Sequence, residues 1–378
     1  MKKVCCVITN RASYAKFKSL LIHLKKDKKI NLQLVVAAGA FLEKYGRLDK
    51  EIKKDGFKIS EKIHMLLESQ TLLSNAKSTG IGISEFSSCF DRLKPDLLVL
   101  MADRFEILSA AIAASYQNIR IAHIQGGEVS GNIDQKVRYA VSQLSDYHFP
   151  STKKANQNLV RILNSKKNIY LTGCPSTDLC KETNKKSYKE FLKLSNYLIG
   201  VGHKVNLKKD YVIVLQHPVT NEYGQGKNQV LKTMNSILKL NLQTIWFWPN
   251  PDSGNADISK YLRTFREMNF KDKILFVKNI NPQHFLLLLK YSRCIIGNSS
   301  AGIRESSFLG TPSVNIGSRQ KNRERGKNVI SVNYDQKKIL KKIKFQIGKK
   351  YKKDNLYGFG NAGLKIYKRI KSILSAKK

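Results

Sequence analysis

At 378 residues the chain is longer than a single hydrophobic core keeps serving, and its 42% apolar content is enough to build two. Lys and Arg number 68 against 28 Asp and Glu, a formal charge of +40, a balance that raises nucleic acid or an anionic membrane as partners. The lysines are spread over nearly every polar stretch, clustering only briefly at Lys25-Lys26-Asp27-Lys28-Lys29 and over 337–353 with no interleaved aromatic platform, so the charge points instead to an anionic small-molecule substrate, with no nucleic acid and no membrane as partner.

In chain order, short β-rich apolar runs alternate with amphipathic segments, the pattern of parallel sheets wrapped by helices. The first run, after Lys2-Lys3, is too short for a signal peptide and is closed by Asn10-Arg11. Expected strands are 2–9, 32–38, 96–102, 119–124, about 147–151 and 169–173, then 211–216, 244–249, 274–278, 294–298 and 312–316. Tyr14, Phe17, Leu20, Leu21 and Leu24 mark the apolar face of a first crossover helix, and 361–376 reads as a last amphipathic helix. A polar, Lys-rich stretch over 181–209 separates the two sets. The expected organisation is therefore α/β, with Rossmann-like doubly wound domains over 1–180 and 181–360 and a terminal helix over 361–378. Cys5, Cys6, Cys89, Cys174, Cys180 and Cys294 contain no CxxC pair and mostly lie in apolar runs, reading as core thiols of a reducing compartment. No run approaches the length of a membrane span, so the expected location is the cytoplasm.

Ligands of open parallel sheets bind beyond the carboxyl ends of the strands. There this chain is unusually polar: Asn10-Arg11, Asp103-Arg104, Gln125-Gly126-Gly127-Glu128, Gln216-His217-Pro218, Asn250 and Gly297-Asn298-Ser299-Ser300 each follow an apolar run, which suggests a cleft between two facing domains. Any one of these segments taken alone is also an ordinary solvated loop. Ser299-Ser300-Ala301-Gly302, opening a helix, offers exposed backbone N–H groups to a phosphate; on spacing alone an ordinary serine N-cap accounts for it equally well. Arg11, Arg104 and Arg319 carry forks that match diphosphate oxygens, although each alone is more often a surface charge. Asp103, Glu128, Asp134 and His217 are candidates for proton transfer, which needs groups that change charge near neutral pH. Gly358-Phe359-Gly360-Asn361-Ala362-Gly363 spells GxGxxG but follows Lys352-Lys353-Asp354 rather than a strand, so it is not read as a dinucleotide fingerprint. No zinc-ligand spacing and no GxxxxGK[ST] is present, so neither a metal nor another cofactor is expected.

Four strings, taken together, carry a resemblance: Ala102-Asp103-Arg104-Phe105-Glu106, His123-Ile124-Gln125-Gly126-Gly127-Glu128-Val129-Ser130-Gly131, His217-Pro218-Val219-Thr220 and Gly297-Asn298-Ser299-Ser300-Ala301-Gly302-Ile303-Arg304-Glu305. In order and spacing they resemble the hydrolysing UDP-N-acetylglucosamine 2-epimerases of sialic acid biosynthesis, the bacterial NeuC-like enzymes and the epimerase half of the bifunctional animal enzyme, from residue 1 to about 370. The resemblance implies a GT-B type fold, a homodimer or higher homo-oligomer, and conversion of UDP-N-acetylglucosamine and water to N-acetylmannosamine and UDP through a 2-acetamidoglucal. It implies catalytic roles at Asp103, Asp134 and His217. It also implies UDP contacts from Arg11 and His217 at the diphosphate, Ser299 and Ser300 at its oxygens, Glu305 at the ribose, Asn250, Ile280 and Phe285 around the uridine, and Arg319. The chain departs from the family where Gln125 replaces a catalytic glutamate, leaving Glu128 or another acid to exchange the proton, and where Ser13 and Ala15 replace an acid and a serine. The rival readings are the same chemistry on a nucleotide-linked 2,4-diacetamido-2,4,6-trideoxyglucose, as in legionaminic acid synthesis, and, more distantly, a non-hydrolysing epimerase, a GT-B glycosyltransferase or a UDP-binding protein without turnover.

Overall fold

A computed structural model describes residues 1–43, 46–68, 71–249, 253–267, 273–278 and 280–376. The chain divides into two compact units, one of Met1–Val129, Ile133–Leu179 and Tyr357–Lys378, the other of Ser130–Asn132 and Cys180–Leu356.

In the first unit the elements run β1 Lys2–Ile8, α1 Arg11–Lys26, β2 Ile30–Ala37, α2 Leu48–Lys54, β3 Glu61–Ile63, α3 Leu72–Leu93, β4 Leu97–Met101, α4 Phe105–Tyr116, β5 Ile121–Ile124, α5 Asp134–Gln143, β6 Tyr147–Phe149 and α6 Lys153–Leu163. Its six strands are all parallel and ordered β3-β2-β1-β4-β5-β6. That is the doubly wound Rossmann order, whose direction of winding reverses between β1 and β4. Buried on both faces, the central strands are almost wholly apolar: every residue of β4 is buried. Phe17, Leu20, Leu21 and Leu24 of α1 cover one face together with Val4, Cys6, Ile8 and Leu34, while Phe86, Cys89, Phe90 and the alanines of α4 cover the other.

The chain passes into the second unit within α7 Ser176–Asn184 and continues through α8 Tyr188–Leu192, β7 Val201–Gly202, β8 Tyr211–Leu215, α9 Gly226–Leu238, β9 Gln243–Phe247, α10 Asn255–Glu267, β10 Ile274–Val277, α11 Pro282–Tyr291, β11 Cys294–Gly297, α12 Glu305–Leu309, β12 Ser313–Ile316, β13 Val329–Val332 and α13 Gln336–Ile347. The sheet order is β13-β12-β11-β8-β9-β10-β7, parallel except for β7. Six of these strands repeat the doubly wound order, reversing between β8 and β11. α14, Ala362–Ser375, belongs to the first unit, where Ile366 and Ile370 join the core beneath α1. Among the described residues no helix is long and apolar enough to cross a membrane, and none of the six cysteines, all buried, forms a disulfide.

Several elements differ from the sequence reading. Residues 169–173 do not form a strand beyond one bridge between Ile169 and His148; the chain leaves the sheet at Gly173, whose φ is +89°, and Cys174 N–H donates instead to the Tyr357 carbonyl at 2.7 Å. β3, β7 and β13 were not foreseen: two are three residues or fewer, and β13 alternates burial too weakly to stand out. Ser299–Gly302 does not open an α-helix; Ser300–Gly302 is a 3₁₀ turn, followed by the five residues of α12. The GxGxxG segment precedes α14 rather than following a strand, and both oxygens of Asp178 accept from its first N–H groups, at 2.8 Å from Ala362 and 2.7 Å from Gly363. The place a phosphate takes in a dinucleotide fold is held here by the protein's own carboxylate.

Candidate functional site

In the first unit the polar residues cluster where the strand order reverses and at the adjoining β5 end. β4 and β5 each end in a non-glycine residue with left-handed backbone, Ala102 at φ +70° and Gln125 at φ +68°. Such conformations cost of order 1–3 kcal/mol and persist only where surroundings impose them. The surroundings are identifiable. Ala102 N–H donates to the Ile124 carbonyl at 3.0 Å, and its own carbonyl accepts from His123 Nε2 at 2.8 Å. A carbonyl cannot donate, so the His123 proton sits on Nε2 and Nδ1 faces Ser142 Oγ at 3.0 Å. Burial pushes the His123 imidazole down to about 4, so it is a neutral structural ring rather than a proton shuttle at neutral pH. Gln125 N–H donates to the Phe149 carbonyl at 3.0 Å. Gly127, φ +76°, is required by approach as well as by backbone, since a Cβ there would collide with the Ala155 carbonyl.

These turns deliver Asp103 and Glu128. Asp103 meets a residue the sequence reading passed over: Arg138, with a side chain only 1% exposed, pairs through Nη2 with Asp103 Oδ2 and through Nη1 with the Glu128 carbonyl. Arg138 lies on α5 four residues after Asp134, so the two share a helix face. One guanidinium thus ties together the ends of β4 and β5 and the helix that carries Asp134, and sets a buried cation against the Asp103 carboxylate. The signal available in the sequence was the i, i+4 spacing of Asp134 and Arg138; that the arginine is buried was not readable. Glu128 is itself buried, at 4% exposure. Gln125 is wholly buried, its Nε2 2.9 Å from Cys174 Sγ and its Oε1 without a hydrogen-bond partner among the described residues. Arg11 opens α1 beyond β1 and pairs with Glu51 at 3.7 Å. Arg104, the residue after Asp103, is engaged with the buried Glu106, Nε to Oε2 at 3.0 Å.

In the second unit the reversal point is likewise polar. His217 follows β8 and is 3% exposed, while Ser299 and Ser300 follow β11 and are half-buried. Asn298 lies between them. Its Oδ1 accepts from His217 N–H at 2.7 Å and its Nδ2 donates to the His217 carbonyl at 2.8 Å. The Asn298 carbonyl in turn accepts from Gln320 Nε2 at 2.9 Å and from Arg319 Nη1 at 3.3 Å. Ser299 Oγ accepts from Ala301 N–H at 3.3 Å, the bond of a capping serine. Glu305, 9% exposed, keeps Oε2 buried without a hydrogen-bond partner among the described residues, an acceptor ready for a donor. Phe285, in the first turn of α11, packs edge-on against Phe247 at the end of β9, with centroids 5.4 Å apart, and Ile280 lies just ahead of that helix, half-buried. Asn250 lies outside the described residues. Ser130–Asn132, the tail of the glycine-rich string, groups with this unit, and Gly131 N–H donates to the Arg319 carbonyl at 3.1 Å.

Two Rossmann-like sheets in one chain, each with its polar residues at the carboxyl ends of the reversing strands, define the GT-B type architecture of nucleotide-sugar enzymes. The chain belongs to the UDP-N-acetylglucosamine 2-epimerase family, whose model matches residues 22–371. It is 32% identical to the UDP-N,N'-diacetylbacillosamine 2-epimerase (hydrolyzing) of Legionella pneumophila over 374 residues, 99% of this chain and 96% of that protein. It is 30% identical to the UDP-N-acetylglucosamine 2-epimerase of Neisseria meningitidis serogroup B over 345 residues, 91% of this chain and 87% of that one. Among solved structures, the UDP-N-acetylglucosamine 2-epimerase of Methanocaldococcus jannaschii, in complex with UDP-GlcNAc and UDP, superposes with a TM-score of 0.81 at 18% identity, covering 98% of this chain and 99% of that one.

Proposed function

We propose that this protein is a hydrolysing 2-epimerase that converts UDP-N-acetylglucosamine and water to N-acetylmannosamine and UDP, acting in the cytoplasm as a homo-oligomer. The observation that carries the reading is the Arg138 clamp, which gathers Asp103, Glu128 and the helix bearing Asp134 beside the reversal point of the first sheet. A poorly acidic C2–H bond needs a base held in place, and the Asp103 carboxylate fastened to a buried arginine is so held. In the elimination, the C2 proton passes to the base as the C1–O bond to UDP breaks, giving the 2-acetamidoglucal. Water then adds its oxygen to C1 while C2 takes a proton from the opposite face. The leaving diphosphate calls for donors and positive charge, which we assign to His217, Ser299, Ser300, Arg11 and Arg319, with Glu305 accepting from the ribose and Phe285 and Ile280 beside the base. Gln125 cannot exchange a proton as a carboxylate does, so its amide orients rather than transfers, and Glu128 and Asp134 share the remaining proton traffic with Asp103.

A second reading keeps the mechanism and changes the sugar to a 2,4-diacetamido-2,4,6-trideoxyglucose; it is favoured by the name of the Legionella pneumophila relative. One experiment separates these. The protein is incubated with UDP-N-acetylglucosamine in deuterated water and followed by proton NMR. N-acetylmannosamine carrying deuterium at C2, with UDP, is the expected product. Turnover of the diacetamido analogue alone moves the enzyme to the second sugar. UDP-N-acetylmannosamine as the product refutes hydrolysis, and release of UDP only when an acceptor is present makes the protein a glycosyltransferase.

A further inference from the structure

The last paired residues of β8 and β11 are Leu215 and Gly297. Gly297 turns to φ +130° with the Leu215 carbonyl where a Cβ would sit, and no further ladder pair of the two strands follows it. Parting strands leave the next backbone groups unpaired. Here the Asn298 side chain replaces the missing ladder bonds. Its backbone N–H still reaches the Leu215 carbonyl at 3.2 Å, while its planar amide accepts from His217 N–H and donates to the His217 carbonyl. Asn298 is wholly buried. A side chain able to close this ring needs one donor and one acceptor on a short stem: aspartate lacks the donor, serine lacks the reach, and glutamine adds a methylene to a site with no free surface.

We infer that Asn298 is the positioning residue of the second unit's half-site. It fixes the direction in which His217 leaves β8 and, through its carbonyl, holds Arg319 and Gln320 in the loop after β12. The inference rests on the proposed function for its chemical consequence but not for its geometry. Neither His217 nor Arg319 is fixed by its own strand, because both follow the last ladder pair. The side-chain amide of Asn298 bonds the His217 peptide groups directly, while Arg319 and Gln320 bond its backbone carbonyl, so loss of the amide loosens the His217 turn without removing the imidazole.

The test uses protein labelled with ¹⁵N-histidine, whose seven histidines give seven backbone amide signals, with the His217 signal assigned by its disappearance in His217→Phe. In Asn298→Ala the His217 amide is expected to shift upfield and exchange with water faster, while kcat falls about 100-fold with KM within about threefold, as misplacement of a catalytic group does. Asn298→Asp keeps the acceptor, so its His217 amide stays near the parental position, and its kcat falls by about tenfold for the lost donor. A His217 amide unmoved in Asn298→Ala overturns the inference, and so does a moved amide with kcat within threefold of the parent. Should the alanine variant not fold, parental kcat in Asn298→Asp overturns it in the same way. Should the parent turn over neither sugar nucleotide, the proposed function fails, while the His217 amide signal still decides the clamp: an unmoved amide in Asn298→Ala overturns it.

Discussion

Replacing Arg138 with leucine tests whether the first unit's site is built around one buried cation. Leucine fills much of the space but leaves the Asp103 carboxylate, 17% exposed, without the guanidinium and withdraws the donor from the Glu128 carbonyl. Breaking a buried pair from one side costs about 3–5 kcal/mol. The residual exposure of Asp103 lets water screen its charge, which brings that term to roughly 2–3 kcal/mol. The stranded carbonyl adds about 1 kcal/mol. The expected loss is therefore about 3–4 kcal/mol in urea unfolding followed by circular dichroism. Asp103→Asn in the Arg138→Leu background removes the unpaired charge, so the double variant should be more stable than Arg138→Leu alone by about 1–2 kcal/mol, a non-additivity that a merely space-filling arginine does not produce. Turnover should fall at least 100-fold in Arg138→Leu and recover only in part in Arg138→Lys, which restores charge without the fork. Arg138→Leu unfolding within 1 kcal/mol of the parent, or strict additivity in the cycle, would refute the reasoning.

Acid should weaken the fold before any carboxylate pair opens. Burial lowers both His123 and His148 to about 4 from 6.5, so between those values the unfolded chain binds more protons than the native one and stability falls as pH falls. By pH 5 the loss is up to about 2 kcal/mol per ring relative to pH 7.5; equal stability at the two pH values would contradict it. Gly127→Ala brings a methyl onto the Ala155 carbonyl at a left-handed backbone position, and the expected outcome is a loss of more than about 2 kcal/mol in thermal or urea unfolding; a change under about 0.5 kcal/mol would show that the packing of the turn after β5 against α6 has slack. Glu305→Ala should weaken UDP by about tenfold in calorimetry yet leave the affinity for 2′,3′-dideoxy-UDP near parental; equal loss for both nucleotides would remove Glu305 from the ribose.

The sequence exposed the parts of the fold that depend on long-period patterning. Strands such as β1, β4 and β8 are buried on both faces and read as unbroken apolar runs, and α1 shows its core stripe at Tyr14, Phe17, Leu20, Leu21 and Leu24. The short edge elements escaped because β7 and β3 hold two and three residues, too few to show a period. The 3₁₀ turn at Ser300 escaped for a different reason: small residues after a strand suit a helix start and a tight turn equally. At the site, the polar residues after each strand were legible one by one as Asp103, Glu128, His217 and Ser299. The residues that hold them were not, because Arg138 and Asn298 are polar side chains whose partners lie 35 and 81 positions away in the chain, Asp103 for the first and His217 for the second.

This division follows from what each kind of residue must do. A group that meets substrate stands at a strand end, where the pattern of apolar run and polar break announces it. A group that holds such a residue must be buried to be rigid, and burial makes it look, in sequence, like an error in an apolar segment or a surface charge on a helix. Arg138 and Asn298 solve the same problem in the two units with different chemistry. In the first, a charge must be kept, so a cation reaches the Asp103 carboxylate. In the second, a backbone turn must be kept, so a neutral amide closes a ring with the His217 peptide groups. Exchange of the two devices is therefore costly in each unit: an amide at 138 leaves Asp103 without a counter-charge, and a carboxylate at 298 keeps the bond from the His217 N–H but sets an oxygen against the His217 carbonyl.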